Sequence, residues 1–88
     1  MGTVTTTVAV RYFAAARATA GVETEKVQVP AGATVATLLA AVREQHGPEL
    51  DHVLRRCSYL LDEVAVRSLD APLGAATTLD VLPPFAGG

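Results

Sequence analysis

Val35, Leu38, Leu39 and Val42 fall at i, i+3, i+4 and i+7 within the run ATVATLLAAVREQHG, the clearest helical pattern in the chain. At 3.6 residues per turn that spacing lines one face of a helix with apolar side chains. Thr34 stands where an N-cap belongs, its hydroxyl able to accept from an orphan backbone N–H. Arg43, Glu44, Gln45 and His46 make the last turn polar, and Gly47-Pro48 stops it. A lone apolar stripe must be buried against something. Most of the remaining sequence is written in period two, so that partner is a sheet and the class is α+β.

The strands read as follows. TVTTTVAVRYF alternates, with Val4, Thr6, Val8, Val10 and Tyr12 on one face and Thr5, Thr7, Ala9, Arg11 and Phe13 on the other. Its β-branched residues favour a strand half-buried on the even face. Phe13 then points away from that face or lies past the strand end. Ala14 to Ala20 has helical propensity for a turn or two and is closed by Gly21. ETEKVQV is a second strand, with Val27 and Val29 sharing a face with Glu23 and Glu25 and Pro30 ending it. After the main helix, Leu50, Val53 and Leu54 suggest a short second helix. CSYLLDEVAV reads as two short strands about a turn at Asp62-Glu63, Leu69 and Leu73 are placed to plug the core, and TTLDVLPP is a last strand with Leu79 and Val81 inward.

Composition narrows the function. The chain has 88 residues, one domain's worth, and its only aromatic residues are Tyr12, Tyr59, Phe13 and Phe85. Such a small Ala, Val and Leu core leaves little room for a deep substrate pocket. The net charge is −2 with no basic run, so nucleic-acid binding is not expected. No apolar run approaches the roughly 20 residues of a membrane span. No secretory signal is read at the N-terminus, and the single Cys57 cannot form an internal disulfide, so a reducing cytoplasm is expected.

Side chains with catalytic chemistry are few. His46 and His52 have no second Cys or acid at metal-ligand spacing, and His46 suits a helix C-terminus as a cation, so no metal is expected. Cys57 has no base nearby in sequence and reads as a small buried hydrophobe. Asp62 and Glu63 read as turn residues, because neighbours on a strand turn point to opposite sides.

The tail is different. LPPFAGG follows the last strand, and the domain is divided into a body at residues 1–82 and an extended tail at residues 83–88. Pro83-Pro84 favours extended geometry and cannot join a ladder. From Pro83 to Gly88 such a tail reaches roughly 20 Å, at about 3.3 Å per residue. Gly87 and Gly88 lack Cβ, so a narrow channel of another protein can close around them. The construction suits delivery of a terminal carboxylate into a partner's active site, although a frayed terminus is the ordinary alternative.

The whole chain resembles the small, sulfur-carrying subunit of molybdopterin synthase, the MoaD family of ubiquitin-like β-grasp proteins. The resemblance is carried by VRYFAAARATAG with Phe13, Ala14 and Arg17, by LDAPL, and by the LPPFAGG tail. It implies a mixed sheet with the first and last strands adjacent at its centre and one main helix across one face. It implies that an E1-like, MoeB-type enzyme uses ATP to adenylate the Gly88 carboxylate, and that a sulfur donor converts it to a thiocarboxylate. The large, MoaE-type subunit would then take in the tail (Pro83, Pro84, Phe85, Ala86, Gly87 and Gly88) and move the sulfur onto cyclic pyranopterin monophosphate. The family's assembly is a heterotetramer of two small and two large subunits. Gly88 would be the reactive residue of a subunit that binds no cofactor and holds no complete active site, with Phe13 and Arg17 as partner contacts and Phe85 as an anchor in the channel.

Two departures from the family pattern stand out. GAATTLDV replaces its usual Gly-Asp-Glu before the last strand, and Asp62-Glu63 replaces Asn-Gly-like residues, so a tight two-residue turn is not expected there. The same fold also serves carriers for cysteine or thiamin thiazole synthesis and ubiquitin-like modifiers that form isopeptide bonds. Thiazole carriers lack the RYFAAAR segment, and modifiers often carry a basic residue before the glycines, where this chain has Phe85-Ala86. A plain interaction domain with an idle tail is the remaining reading.

Overall fold

The computed structural model describes residues 4–84. Its elements run β1 (Thr5–Tyr12), α1 (Ala14–Ala20), β2 (Thr24–Pro30), α2 (Val35–His46), α3 (Pro48–Leu54), β3 (Ser58–Leu61), β4 (Val64–Ala65) and β5 (Thr78–Leu82). The alternation in β1 does what its pattern requires. Val8, Val10 and Tyr12 are buried, while Thr5, Thr7 and Arg11 are exposed on the opposite side. Pairing then sets which side chains share that buried face. Val8 faces Val27 in antiparallel β2; Val10 and Tyr12 face Leu79 and Val81 in parallel β5; Tyr59 of β3 faces Val81 from the other side. The sheet order is β2-β1-β5-β3-β4, with the first and last strands at its centre.

Helix α2 begins as its sequence predicts, the Thr34 hydroxyl accepting from the Thr37 N–H at 3.3 Å. Two more of its opening amides are met by the loop before β5: Val35 N–H donates to the Ala71 carbonyl and Ala36 N–H to that of Leu69, at 3.0 and 2.8 Å. Val35, Leu38, Leu39 and Val42 are buried in the core with the sheet's inner face. Leu73 joins them, but Leu69 does not. Its carbonyl is turned to the helix start, and its side chain is left 44% exposed.

The short helices add what a bare sheet and one helix would lack. Helix α1 is seven residues long and ends at Gly21, whose φ of 79° is left-handed and whose N–H donates to the Arg17 carbonyl at 3.0 Å. Helix α3 buries Leu50 and Leu54, and the Tyr59 hydroxyl donates to the Leu54 carbonyl at its end, at 2.6 Å. Burial pushes the Tyr59 phenol up to about 12.

The β3–β4 connection overturns one expectation. Leu61 pairs with Val64, and Asp62 and Glu63 both have positive φ, 46° and 71°, so the turn is the tight two-residue kind. The physical reason lies outside the hairpin. The Asp62 carboxylate accepts from the N–H groups of Thr77 and Thr78 at 3.0 and 2.9 Å, while its own N–H donates to the Thr78 carbonyl at 2.9 Å. Tethering to β5 offsets the left-handed strain. Those backbone donors hold the Asp62 carboxyl below the usual carboxylate range. A depressed folded value contributes stability above the unfolded value of about 4 that is lost as pH falls through the folded one. Asp62→Asn is therefore expected to unfold at lower urea than wild type at pH 7, with the gap narrowing as pH drops through the low carboxylate range.

Candidate functional site

Because β1 and β5 are parallel neighbours, both leave the sheet at the same edge. The Phe13 N–H continues the ladder by donating to the Val81 carbonyl at 3.3 Å. Phe13 is half-buried and begins α1 with extended backbone. Ala14 follows with φ of 50°, a left-handed conformation that costs a non-glycine residue on the order of 1–3 kcal/mol. This sharp reversal folds α1 back beside the point where the chain continues past β5.

That continuation starts inside the body. Pro83 is buried and Pro84 exposed. Together with Ala15, His52, Val53 and Arg56 they line a groove of about 220 Å³ at the meeting of α1, α3 and the strand end. Phe85, Ala86, Gly87 and Gly88 lie outside the described residues.

A charged pair stiffens the same edge on the face opposite the helices. Arg11 donates from Nε and a terminal nitrogen to the two Asp80 oxygens at 2.6 and 2.8 Å, and the Asp80 side chain is only 7% exposed. The bidentate geometry fixes the guanidinium plane. Its carbon lies 5.7 Å from the centre of the Phe13 ring, within cation–π range. Asp80, Arg11 and Phe13 thus form a row leading to the tail exit. Arg17 is exposed on α1 and lines a separate shallow recess with Ala14, Ala18, Gly21, Val22 and Glu23.

The residues with more conventional chemistry are occupied elsewhere. His46 contacts the Glu25 carboxylate through Nε2; the same carboxylate accepts from Tyr12 at 2.5 Å and from Gln45 at 3.0 Å. Burial pushes the Tyr12 phenol upward. The cluster ties the end of α2 to β1 and β2. His52 is exposed at the groove. Among the described residues no three His, Cys, Asp or Glu side chains stand together where they could hold a metal ion, and no helix is long and apolar enough to cross a membrane.

Cys57 is half-buried, its thiol donating to the Val53 carbonyl at 3.2 Å, and burial pushes its pKa up to about 11. Only the thiolate is nucleophilic. At pH 8 alkylation of Cys57 should run at least about a hundredfold slower than that of a free thiol, whose ordinary pKa is about 8.5.

Sequence reasoning missed the Arg11–Asp80 pair, the Glu25 cluster and the groove. Alternation alone puts Arg11 and Asp80 on the outer face. Their meeting needs the β1–β5 register, which places them directly opposite each other.

A mixed five-stranded sheet, with its first and last strands paired at the centre and its main helix across one face, defines the ubiquitin-like β-grasp class. The sequence matches the ThiS family over residues 10–88, and the chain belongs to that family. It is 35% identical over 80 residues to the molybdopterin synthase sulfur carrier subunit of Chlamydomonas reinhardtii, covering 90% of this chain and 95% of that protein. The structure is similar to SAMP1 from Haloferax volcanii, with TM-score 0.80 and 27% identity over 94% of this chain and all of that one. It is also similar to a chain in the complex of subunits 1 and 2 of the molybdopterin-converting factor from Helicobacter pylori, with TM-score 0.65 and 26% identity over 94% of this chain and all of that one. The resemblance carried by VRYFAAARATAG, LDAPL and LPPFAGG is upheld at the level of family and fold.

Proposed function

We propose that this chain is the sulfur-carrying small subunit of a molybdopterin synthase, working in the cytoplasm with Gly88 as its reactive residue. The observation that carries the reading is a family match that runs through the tail to Gly88, joined to 35% identity with a sulfur carrier subunit across nearly its whole length. The Helicobacter complex of subunits 1 and 2 supports a large subunit as partner.

The chemistry follows from the carboxylate. Its oxygen is a poor leaving group, so an E1-like, MoeB-type enzyme first joins it to the α-phosphate of ATP, releasing pyrophosphate. A persulfide sulfur donor attacks the acyl carbon through its outer sulfur and AMP leaves with the original oxygen. A second thiol then attacks the donor's inner sulfur, so that the acyl disulfide is reduced to the thiocarboxylate while the donor and that thiol become a disulfide. Its sulfur is soft, nucleophilic and ionised at neutral pH, so this chain need supply no general base. In the large subunit the sulfur passes to cyclic pyranopterin monophosphate. A dithiolene takes two sulfurs, so small subunits must be recharged or exchanged within a heterotetramer of two small and two large subunits. The body's part is to hold the tail out from a rigid edge, with Phe13 and Arg17 contacting partners and Phe85 anchoring the tail.

Intact-protein mass spectrometry after incubation with the activating enzyme, ATP and a sulfur donor tests the reading. The expected result is one sulfur-for-oxygen exchange, located on Gly88 by fragmentation. An unchanged mass, or sulfur found on Cys57, would overturn it. The likeness to SAMP1, from an organism whose matching structure is named a small archaeal modifier protein, favours a second reading as a protein modifier. Lysine-linked conjugates in cells that vanish when Gly88 is deleted would establish it.

A further inference from the structure

We infer that the groove beside the tail exit receives an acidic side chain, set next to an apolar one, on the protein that takes in the tail. The inference rests on the sulfur-carrier reading, which makes that protein the large synthase subunit. Ala15, Val53, Pro83 and Pro84 give the groove apolar walls, and the two ionisable residues lining it among the described residues, His52 and Arg56, are both basic. Among the described residues no carboxylate lines it, although the chain as a whole carries a net charge of −2. Asp51, next to His52 in sequence, does not neutralise the spot, because it is held by Arg43 at 2.6 Å and Arg55 at 3.2 Å. Arg56 is exposed and has no hydrogen-bonded or ion-paired side chain among the described residues.

Size limits the occupant. About 220 Å³ is below the roughly 300–1,000 Å³ of a cofactor or small-molecule site and suits one or two side chains. Position favours the contact. Pro83 and Pro84 line the groove, so it lies at the root of the segment that the partner takes in. A basic edge there draws a carboxylate in from a distance and fixes how the body is turned when the tail enters. The apolar walls are covered at the same step. Such a rim charge acts chiefly on association rate and its salt dependence.

The test is association kinetics of the full-length chain with the large synthase subunit encoded by the same genome, at low and at physiological salt. Arg56→Glu is compared with Arg67→Glu, which makes the same change of net charge at another exposed arginine, and with Arg56→Gln, which removes charge without reversing it. Arg56→Glu is expected to slow association about tenfold at low salt and to flatten the salt dependence. Arg56→Gln should fall between it and wild type, and Arg67→Glu should stay within about twofold of wild type. If Arg56→Glu matches Arg67→Glu while wild type binds and transfers sulfur, the groove assignment fails and the sulfur-carrier reading stands. If the wild-type chain does not bind the large subunit at all, that reading fails and the groove assignment falls with it.

Discussion

Deleting Gly88 abolishes sulfur transfer and leaves thermal unfolding unchanged: this is the expected result if the proposed carrier chemistry runs through the Gly88 carboxylate. The deleted chain still ends in a carboxylate, now on Gly87, but one residue short. That withdraws the reacting carbon by about 3.3 Å. Misplacement of a reacting group by about 1 Å can already cost a hundredfold in rate, so the loss should exceed a hundredfold. Gly87→Trp keeps the length and is expected to fail for another reason, since the proposed channel, closed around bare backbone, would have no space for a large side chain. Intact mass separates the stages. A variant that gains sulfur but does not deliver it is blocked at the large subunit, and one that never gains sulfur is blocked at activation. The described β5 ladder ends at Leu82, and an unchanged melting transition is the expected result for both variants. Full sulfur transfer by either variant would sink the channel argument.

Leu38→Ala should produce the largest loss of stability. Leu38 is fully buried at the middle of the α2 stripe, between Val35 and Val42 and beside Leu39. Truncating a buried leucine costs about 2–5 kcal/mol through lost transfer energy and the cavity left behind. In a domain of this size each kcal/mol lowers the melting temperature by roughly 4–8 °C. A cost of about 3 kcal/mol thus means a fall of roughly 12–24 °C. Leu38→Met, which nearly conserves volume, should cost less than about 1.5 kcal/mol. Circular dichroism melts and urea titrations measure both. Below its own melting transition, Leu38→Ala should still accept sulfur, because the tail chemistry does not pass through the core.

What was legible in the sequence was whatever local periodicity and punctuation decide. The β1 alternation picked out Val8, Val10 and Tyr12; the stripe from Val35 to Val42 and the Thr34 cap located α2; Leu79 and Val81 marked the inner face of β5. The β-grasp arrangement followed from those elements together with the family resemblance. What escaped was set by contacts between residues far apart in the chain. Nothing near Asp62 and Glu63 favours left-handed backbone as strongly as Asn-Gly would, and the bonds that hold Asp62 there come from Thr77 and Thr78. Alternation puts Glu25 on the face of Val27 and Val29, but nothing near it in the sequence shows that Tyr12, Gln45 and His46 converge on it from β1 and the end of α2. The groove at the tail exit is likewise assembled from three distant segments, of which only the Pro83-Pro84 pair stood out in the sequence.

The central place of β5 bears on synthesis. Until Thr78–Leu82 has emerged, β1 with β2 and β3 with β4 are two separate ribbons with no strand to join them, since β5 is the element paired to both. Two-stranded ribbons are marginal on their own in water. A nascent or prematurely terminated chain lacking that strand therefore remains open to proteolysis, and the segment that leads into the tail is the same one that closes the sheet. A chain cut short before Thr78 is therefore expected to be digested by a protease under conditions where the full chain resists it.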